Sequence, residues 1–413
     1  MDRAVLVTLK GSGKLADELI TLCESVDIET IKIFTVPLNK PSAAWLLGSG
    51  KTREIIDYAL DYEADMIVFN PALSPSQQRN WEKESGLCVI DRHEIILEIF
   101  SSRATTREAS LQTGLARMEY SLPRLTRAWT HLSRQRGGTR GTRGEGETQL
   151  EIDRRIVLKK ISRMKRELEE VKKQRAIQRA KRAGTVPSAC IVGYTNAGKS
   201  SLLNLLCDAG IKAEDKLFAT LDPTTRSLKL SGGGSLTLTD TVGFIRDLPH
   251  KLVQAFHSTL EEAVLADFLI HVIDSSDSDA EAHYRTTLAT LKEIGAGEKR
   301  IMTVFNKIDC FTEDESNLIN IKGIQLETEQ STFCSVKTGE GIDQLLAEME
   351  RFIRENRIES LFRFPADGRG YKLLSELHSK CEIISEDHED SYIEVRAVCP
   401  DEIRNRYAGY ILD

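Results

Sequence analysis

The side chains best equipped for chemistry stand in the run Gly193-Tyr194-Thr195-Asn196-Ala197-Gly198-Lys199-Ser200. This G-x-x-x-x-G-K-S spacing follows an apolar stretch, Ala189-Cys190-Ile191-Val192, and leads through Ser201 into Leu202-Leu203-Asn204-Leu205-Leu206. Strand, glycine-rich turn and helix in that order make a phosphate-binding loop. Glycines let backbone N–H groups approach phosphate oxygens, and the helix N-terminus adds partial positive charge beneath them. Lys199 supplies a cation for the outer phosphates, and the Ser200 hydroxyl suits a Mg²⁺ ligand. Downstream, Asp240-Thr241-Val242-Gly243 is D-x-x-G after a strand-like run, with Asp240 a second Mg²⁺ candidate and the Gly243 N–H a sensor of the γ-phosphate. Asn306-Lys307-Ile308-Asp309 is N-K-x-D after the run Ile301–Phe305. The Asp309 carboxylate can accept from the guanine N1–H and 2-amino groups, a donor pair that adenine lacks. The backbone of Ser335-Val336-Lys337 is expected to border the base. The threonine-rich stretch from Leu217 to Arg226, with Phe218, Ala219 and Thr220, suits a mobile loop that closes on Mg²⁺ and the terminal phosphate, Thr220 being a third metal candidate. Each motif alone is weak. In this order, each at a strand end, they point to hydrolysis of GTP to GDP and phosphate, with Lys199, Thr220 and Gly243 as the catalytic set.

These residues need a scaffold, and the rest of the chain supplies one. Its 413 residues suggest roughly three domains, and 40% apolar with 29% charged residues is an ordinary soluble composition. No apolar run reaches bilayer length, the N-terminus lacks a signal-peptide layout, and the eight cysteines show no C-x-x-C pair. A reducing cytoplasm and a monomer without disulfides or zinc are the expectation. Residues 1–104 alternate strands, at Val5–Val7, Ile31–Phe34, Met66–Phe69 and Leu87–Ile90, with helices near Leu15–Leu22 and Glu54–Leu60 and after Ser74-Pro75. Gly11–Lys14 and Gly50–Thr52 resemble fragments of a phosphate loop but read as turns before helices.

Residues 105–183 read as two long amphipathic helices forming a hairpin. Leu111, Leu115, Met118, Leu122, Leu125, Trp129 and Leu132 make one stripe, and Leu150, Val157, Ile161, Met164, Leu168 and Val171 the other. Thr105 with Glu108, and Thr148 with Glu151, are expected capping boxes, and Pro123 predicts a kink. Residues 187–356 carry the nucleotide motifs. Residues 357–413 read as a small α+β domain with a helix at Gly370–Leu377, strands at Cys381–Ile384 and Tyr392–Val398, and a closing helix at Pro400–Tyr407. The fold expected is α/β: a P-loop GTPase domain with an N-terminal α/β domain bearing a long helical hairpin, and a small C-terminal α+β domain.

The net charge of −7 conceals an asymmetry: residues 101–186 hold 22 Lys+Arg against 9 Asp+Glu, leaving 34 against 54 elsewhere. The hairpin loop from Arg136 to Glu147 is rich in glycine and carries Arg136, Arg140 and Arg143. The second helix adds Arg154, Arg155, Lys159, Lys160, Arg163 and Arg166. So long a loop exceeds what a helix reversal needs, and cations in excess point to a polyanionic partner, RNA above all.

With these residues in view, the chain resembles the HflX family of ribosome-associated GTPases. The most distinctive stretch lies outside the nucleotide motifs: Gly138-Thr139-Arg140-Gly141, continuing through Gly146-Glu147-Thr148-Gln149-Leu150-Glu151-Ile152-Asp153-Arg154-Arg155. The resemblance implies binding to the large ribosomal subunit, with the hairpin loop near the peptidyl-transferase centre, and splitting of stalled ribosomes under stress. A GTP-switched scaffold, or a GTPase acting on another RNA–protein target, is the alternative. Phe244 stands where a water-orienting Gln is frequent in small GTPases, which implies slow intrinsic turnover stimulated by a partner. In GTPases with a similar loop the Asn often helps to hold K⁺. Asn196 occupies that position and could equally serve to stabilise the loop.

Overall fold

The structure, a computed structural model, describes residues 1–11, 15–38, 40–125, 149–180, 186–207, 217–218, 220–230, 235–246, 257–311, 315–328, 330–355 and 357–412. The chain divides into two compact units. One comprises Met1–Lys172 with Glu214–Asp222 and Asp247–Thr259; the other comprises Lys173–Ala213, Pro223–Arg246 and Leu260–Asp413.

The first unit begins as the alternating pattern predicts, with β1 (Asp2–Leu9), α1 (Leu15–Glu24), β2 (Ile28–Val36), α2 (Ser49–Asp61), β3 (Met66–Phe69), α3 (Pro75–Ser85) and β4 (Cys88–Asp91). The strands pair in the order β2-β1-β3-β4, all parallel. Val5, Val7, Ile67, Phe69 and Val89 bury against Ile55, Ile56, Ala59 and Trp81. Ser74 caps α3 in a reciprocal box with Gln77, and Pro75 takes the first turn, where its missing N–H costs nothing. Gly50-Lys51-Thr52 lies inside the first turns of α2 and not in a turn before it.

An unanticipated helix, α4 (Arg92–Arg103), follows β4 directly, because Asp91 caps it by accepting from the backbone of His93 and Glu94. In α5 (Arg107–Ser121) the capping residue is Thr106 and not Thr105: its hydroxyl accepts from Ala109 N at 3.1 Å. Pro123 ends this helix, which passes at Leu122–Arg124 into a 3₁₀ turn, because proline cannot continue the hydrogen-bond ladder. Residues 126–148 lie outside the described residues, and with them Trp129, Leu132, Thr148, Arg136, Arg140 and Arg143.

The long helix α6 (Gln149–Ala180) packs on α5 through the expected stripes. Leu115, Leu125, Val157, Ile161 and Leu168 are buried together, with Leu111, Met118 and Leu122 against them. A side chain at Gly114 would collide with Met164 Cε, 2.5 Å from a β-carbon built there. Glu119 pairs with Lys165 at 2.7 Å across the seam.

The segment ending at Asp222 belongs to this unit. Leu217, Phe218 and Leu221 are buried, and the Phe218 ring meets Phe100 edge-on at 4.6 Å. Asp222 accepts from both the backbone and the hydroxyl of Thr105 and of Thr106.

In the second unit the described strands β5 (Ser188–Gly193), β6 (Thr224–Lys229), β7 (Ser235–Asp240), β8 (Phe268–Asp274), β9 (Ile301–Asn306) and β10 (Gln330–Phe333) form a sheet in the order β10-β9-β8-β5-β7-β6. Only the β6 pairing is antiparallel among these, so Thr224–Arg226 of the expected loop belong to a strand. Helices α7 (Lys199–Cys207), α8 (His257–Leu265, of this unit from Leu260 onward), α9 (Ala280–Glu293), α10 (Glu315–Glu327) and α11 (Ile342–Glu355) intervene. Side chains alternate across the sheet: Ile270, Val272, Met302 and Val304 pack with Leu202, Leu203, Leu345 and Met349, whereas Ile273 and Phe305 join Tyr284, Ile321 and Ile324. A further antiparallel sheet, in the order β12-β13-β11-β14, closes the chain. It comprises β11 (Arg357–Pro365), β12 (Glu382–His388), β13 (Tyr392–Pro400) and β14 (Ile411–Leu412), with α12 (Gly368–Lys380) and α13 (Asp401–Arg406). Phe362, Phe364, Leu377, Ile393 and Val395 fill its core. The architecture is the α/β class expected.

Candidate nucleotide site

The phosphate loop connects the carboxyl end of β5 to the first turn of α7, as the strand–turn–helix pattern requires. Asn196 and Gly198 both adopt positive φ, at 61° and 95°, a region that Asn and Gly occupy at least cost. Gly198 is also fixed by its neighbour, since a β-carbon there would lie 2.2 Å from Asn306 Nδ2. Asn196 is exposed.

Lys199 is 6% exposed and donates to the Tyr194 carbonyl at 2.7 Å. Burial pushes its ammonium down to about 8. An incoming phosphate would raise it again, so the residue suits an anion better than the protein interior. Thr195 Oγ1 is buried and finds no hydrogen-bond partner among the described residues, as befits a hydroxyl beside a phosphate site. Ser200 Oγ donates to Asp240 Oδ2 at 2.6 Å. A hydroxyl and a carboxylate oxygen side by side form the hard donor set that Mg²⁺ takes, so these two residues fit the metal. Thr220, the third candidate ligand, lies on the segment that belongs to the first unit, whereas Ser200 and Asp240 belong to the second. Ala219 falls outside the described residues.

The D-x-x-G segment runs against the phosphate loop. Thr195 N donates to Phe244 O at 2.8 Å and Phe244 N to Gly193 O at 3.1 Å, a parallel bridge of Tyr194 with Phe244. The Phe244 side chain is 1% exposed and packs as core. Thr241 is committed inward, its hydroxyl donating to Ile191 O at 2.8 Å, and Val242 is buried.

At the base end, Asn306 is 2% exposed and uses its amide on the protein: Nδ2 donates to Ala197 O at 2.9 Å and Oδ1 accepts from Val336 N at 3.1 Å. It therefore ties the phosphate loop to the Ser335-Val336-Lys337 loop. Lys307 sits at φ 64° and pairs with Asp274 at 2.7 Å. Asp309 Oδ1 accepts from Ser335 Oγ at 2.6 Å, which holds the carboxyl below its ordinary range and keeps it an acceptor. Lys337 is 3.8 Å from Asp309.

Sequence reasoning missed a layer of supporting contacts. The Tyr194 ring stacks on His283 with centroids 3.6 Å apart, and His283 Nδ1 lies 3.0 Å from Asp277. Tyr194 Oη accepts from Arg246 N at 2.8 Å, and Arg246 pairs with Asp279 at 3.1 Å. Nothing in the spacing of Tyr194 and His283 signals this contact; it arises where the first turn of α9 meets the loop.

Comparison with known proteins agrees with this geometry. The family described as 50S ribosome-binding GTPase matches residues 188–307. The families described as GTP-binding GTPase N-terminal and GTP-binding GTPase Middle Region match residues 14–101 and 103–182. A protein named GTPase HflX from Akkermansia muciniphila is 45% identical over 100% of this chain and 98% of its own length. Its namesake from Chlamydia pneumoniae is 43% identical over 96% of this chain and 84% of its own length. That from Lacrimispora saccharolytica is 44% identical over 95% and 90%. Relatives this similar, matched nearly end to end, together with the matching GTPase family model, show that the chain belongs to the HflX family of GTPases and hydrolyses GTP.

Proposed function

We propose that this GTPase binds the large ribosomal subunit and splits or rescues stalled ribosomes under stress, with the 105–183 hairpin as its RNA-facing element. The exposed cationic face of α6 carries this reading. Arg154, Arg155, Lys159, Lys160, Arg163 and Arg166 are all exposed. Arg163 pairs with Glu167 at 2.8 Å and Arg166 Nε approaches Ser162 O at 3.4 Å, so these two are partly engaged within the helix. Among the described residues Arg154, Lys159 and Lys160 form no ion pair, and they flank the exposed Ile156 and Leu158. Unpaired cations beside exposed apolar groups suit phosphate and base contacts better than a merely solvated surface. The description of the matching family as ribosome-binding points the same way.

In the cycle we envisage, the phosphate loop and Lys199 hold the phosphates, and Asp309 reads guanine. Ser200 and Asp240 would hold Mg²⁺, which when bound offsets charge on the transferring phosphoryl group. Phe244 has no polar atom and is buried, so the attacking water falls to backbone groups, Thr220 or the ribosomal partner. Asn196, exposed at the loop tip, is the candidate K⁺ ligand. The protein acts as a monomer in the cytoplasm, with working boundaries near residues 104, 183–187 and 356. Ribosome pelleting with GDP, GTP and a non-hydrolysable analogue, followed by a subunit-splitting assay, tests the proposal. Equal recovery with all three nucleotides and no splitting would remove it.

A further inference from the structure

We propose that Thr195 is a catalytic residue of the GTPase: its hydroxyl orients the water that attacks the γ-phosphorus. The proposal rests on the assignment of the phosphate loop and on no ribosomal partner. A buried hydroxyl normally finds an acceptor, because leaving it unbonded costs more than the bond returns. Thr241 and Thr287, buried in the same unit, follow this rule by donating to Ile191 O at 2.8 Å and His283 O at 3.0 Å. Thr195 is 7% exposed, yet its Oγ1 finds no partner among the described residues. Thr303 Oγ1 shares that condition but belongs to β9, between His271 and Ser331 of the neighbouring strands. Thr195 stands instead on the loop at the carboxyl end of β5, where ligands meet a sheet of this kind.

The backbone around Thr195 is fixed on both sides. Thr195 N donates to Phe244 O at 2.8 Å, while the preceding carbonyl, Tyr194 O, accepts from Lys199 Nζ at 2.7 Å and from Ala197 N at 3.4 Å. Thr195 therefore lies between the lysine that meets the outer phosphates and the residue that follows D-x-x-G. Its side chain shares this position: Thr195 Cγ2 and Lys199 Nζ lie 2.8 Å and 2.9 Å from one point, the place of a β-carbon on Gly243. Branching at Cβ restricts χ1, so the hydroxyl has few other places to go. Phe244, buried and without a polar atom, offers the water no acceptor. A hydroxyl both accepts and donates. Thr195 Oγ1 accepts a hydrogen bond from the water and donates one to a γ-phosphoryl oxygen, which holds the water in line. In the step, the water oxygen bonds the γ-phosphorus as the bond from phosphorus to the β–γ bridging oxygen breaks. That electron pair stays on GDP. One water proton remains on the attacking oxygen, the other passes to a phosphate oxygen, and Thr195 neither gains nor loses a proton.

The test compares Thr195→Val, Thr195→Ala and Thr195→Ser in the full chain, with Mg²⁺ and without ribosomes. Single-turnover GTP hydrolysis should slow about tenfold to a hundredfold in the valine and alanine variants, and stay within about fivefold of the parent in the serine variant, which keeps the hydroxyl. Affinities for GDP and for a non-hydrolysable GTP analogue should stay within about threefold, because the contact is to the water. The ligand-free valine variant should melt no lower than the parent, since the substitution removes a hydroxyl that bonds nothing in the folded chain. Turnover of the valine and alanine variants within about threefold of the parent, an equal loss in the serine variant, or GDP affinity falling together with turnover would each overturn the role. A lower melting temperature for the valine variant would mark the hydroxyl as structural and do the same. A Lys199→Ala variant that bound both nucleotides as the parent does would instead overturn the phosphate-loop assignment, and the role of Thr195 with it.

Discussion

Asp309→Asn isolates the guanine contact, because the structure indicates what the substitution spares. The Ser335 hydroxyl donates to Oδ1 at 2.6 Å, and an asparagine carbonyl can still accept that bond. Lys337, at 3.8 Å and 81% exposed, contributes little that could be lost. The fold and the Ser335 loop should therefore survive. What changes is the second atom, which turns from a carboxylate oxygen into an amide donor facing the guanine N1–H and 2-amino donors. Two charge-assisted hydrogen bonds are lost, each worth about 1.5–3 kcal/mol, so GDP and GTP affinity should fall roughly 10²–10⁴-fold. The amide should instead favour xanthine nucleotides, whose 2-oxo group accepts where guanine donates. Titration calorimetry with GDP and xanthosine diphosphate, beside a thermal melt, reads all three expectations. GDP affinity within fivefold of the parent, or no gain for the xanthine nucleotide in a folded variant, would refute the assignment of Asp309.

Three further outcomes are expected. Glu94 is pushed up to about 7 from the ordinary 4.5 by burial and by neighbouring Asp91. The folded state thus holds an extra proton, and its stabilisation is complete below about pH 4.5 and lost as pH rises through 7, with a ceiling of about 3 kcal/mol. Melting temperatures from pH 5 to 8 should fall more for the parent than for Glu94→Gln; parallel curves would discount the effect. Phe244→Ala should destabilise the protein by about 3–5 kcal/mol as a core truncation, whereas Phe244→Leu should fold and keep basal GTP turnover within a few fold; a collapse of turnover in the folded leucine variant would assign Phe244 a direct catalytic role. Replacing Lys159, Lys160, Arg163 and Arg166 by Ala should weaken binding to large ribosomal subunits and flatten its salt dependence, with nucleotide affinity unchanged; an unaltered salt slope in pelleting assays would clear this face of phosphate contact.

The nucleotide motifs were legible because their chemistry demands fixed spacing at strand ends, and β5, β7 and β9 terminate where the sequence indicates. The hairpin seam was legible from its period. Local signals settled less. Thr105 and Thr106 are equally good caps by type, and the choice between them follows from Asp222, more than a hundred residues away, which takes both hydroxyls. The helix after β4 had a readable start in Asp91 followed by Glu94, but its almost wholly apolar middle hides the helical period. β11 carried alternating Phe362 and Phe364, and was obscured by the charged residues between and before them. The Tyr194 contacts have no sequence signature, since Arg246, His283 and Asp279 lie dozens of residues downstream and meet the loop only through the fold.

The docking of Leu217–Asp222 makes any excised nucleotide-binding fragment a different protein in one respect. A fragment spanning 187–356 retains the four motifs but loses Phe100, Thr105 and Thr106. Leu217, Phe218 and Leu221 would then face water, and Asp222 would forfeit its threonine donors. Thr220, carried between them, would sample conformations that the intact chain does not offer. Turnover measured on such a fragment thus reports an untethered loop, and its ratio to the rate of the whole chain tests whether the conformation of the Leu217–Asp222 segment matters for hydrolysis at all.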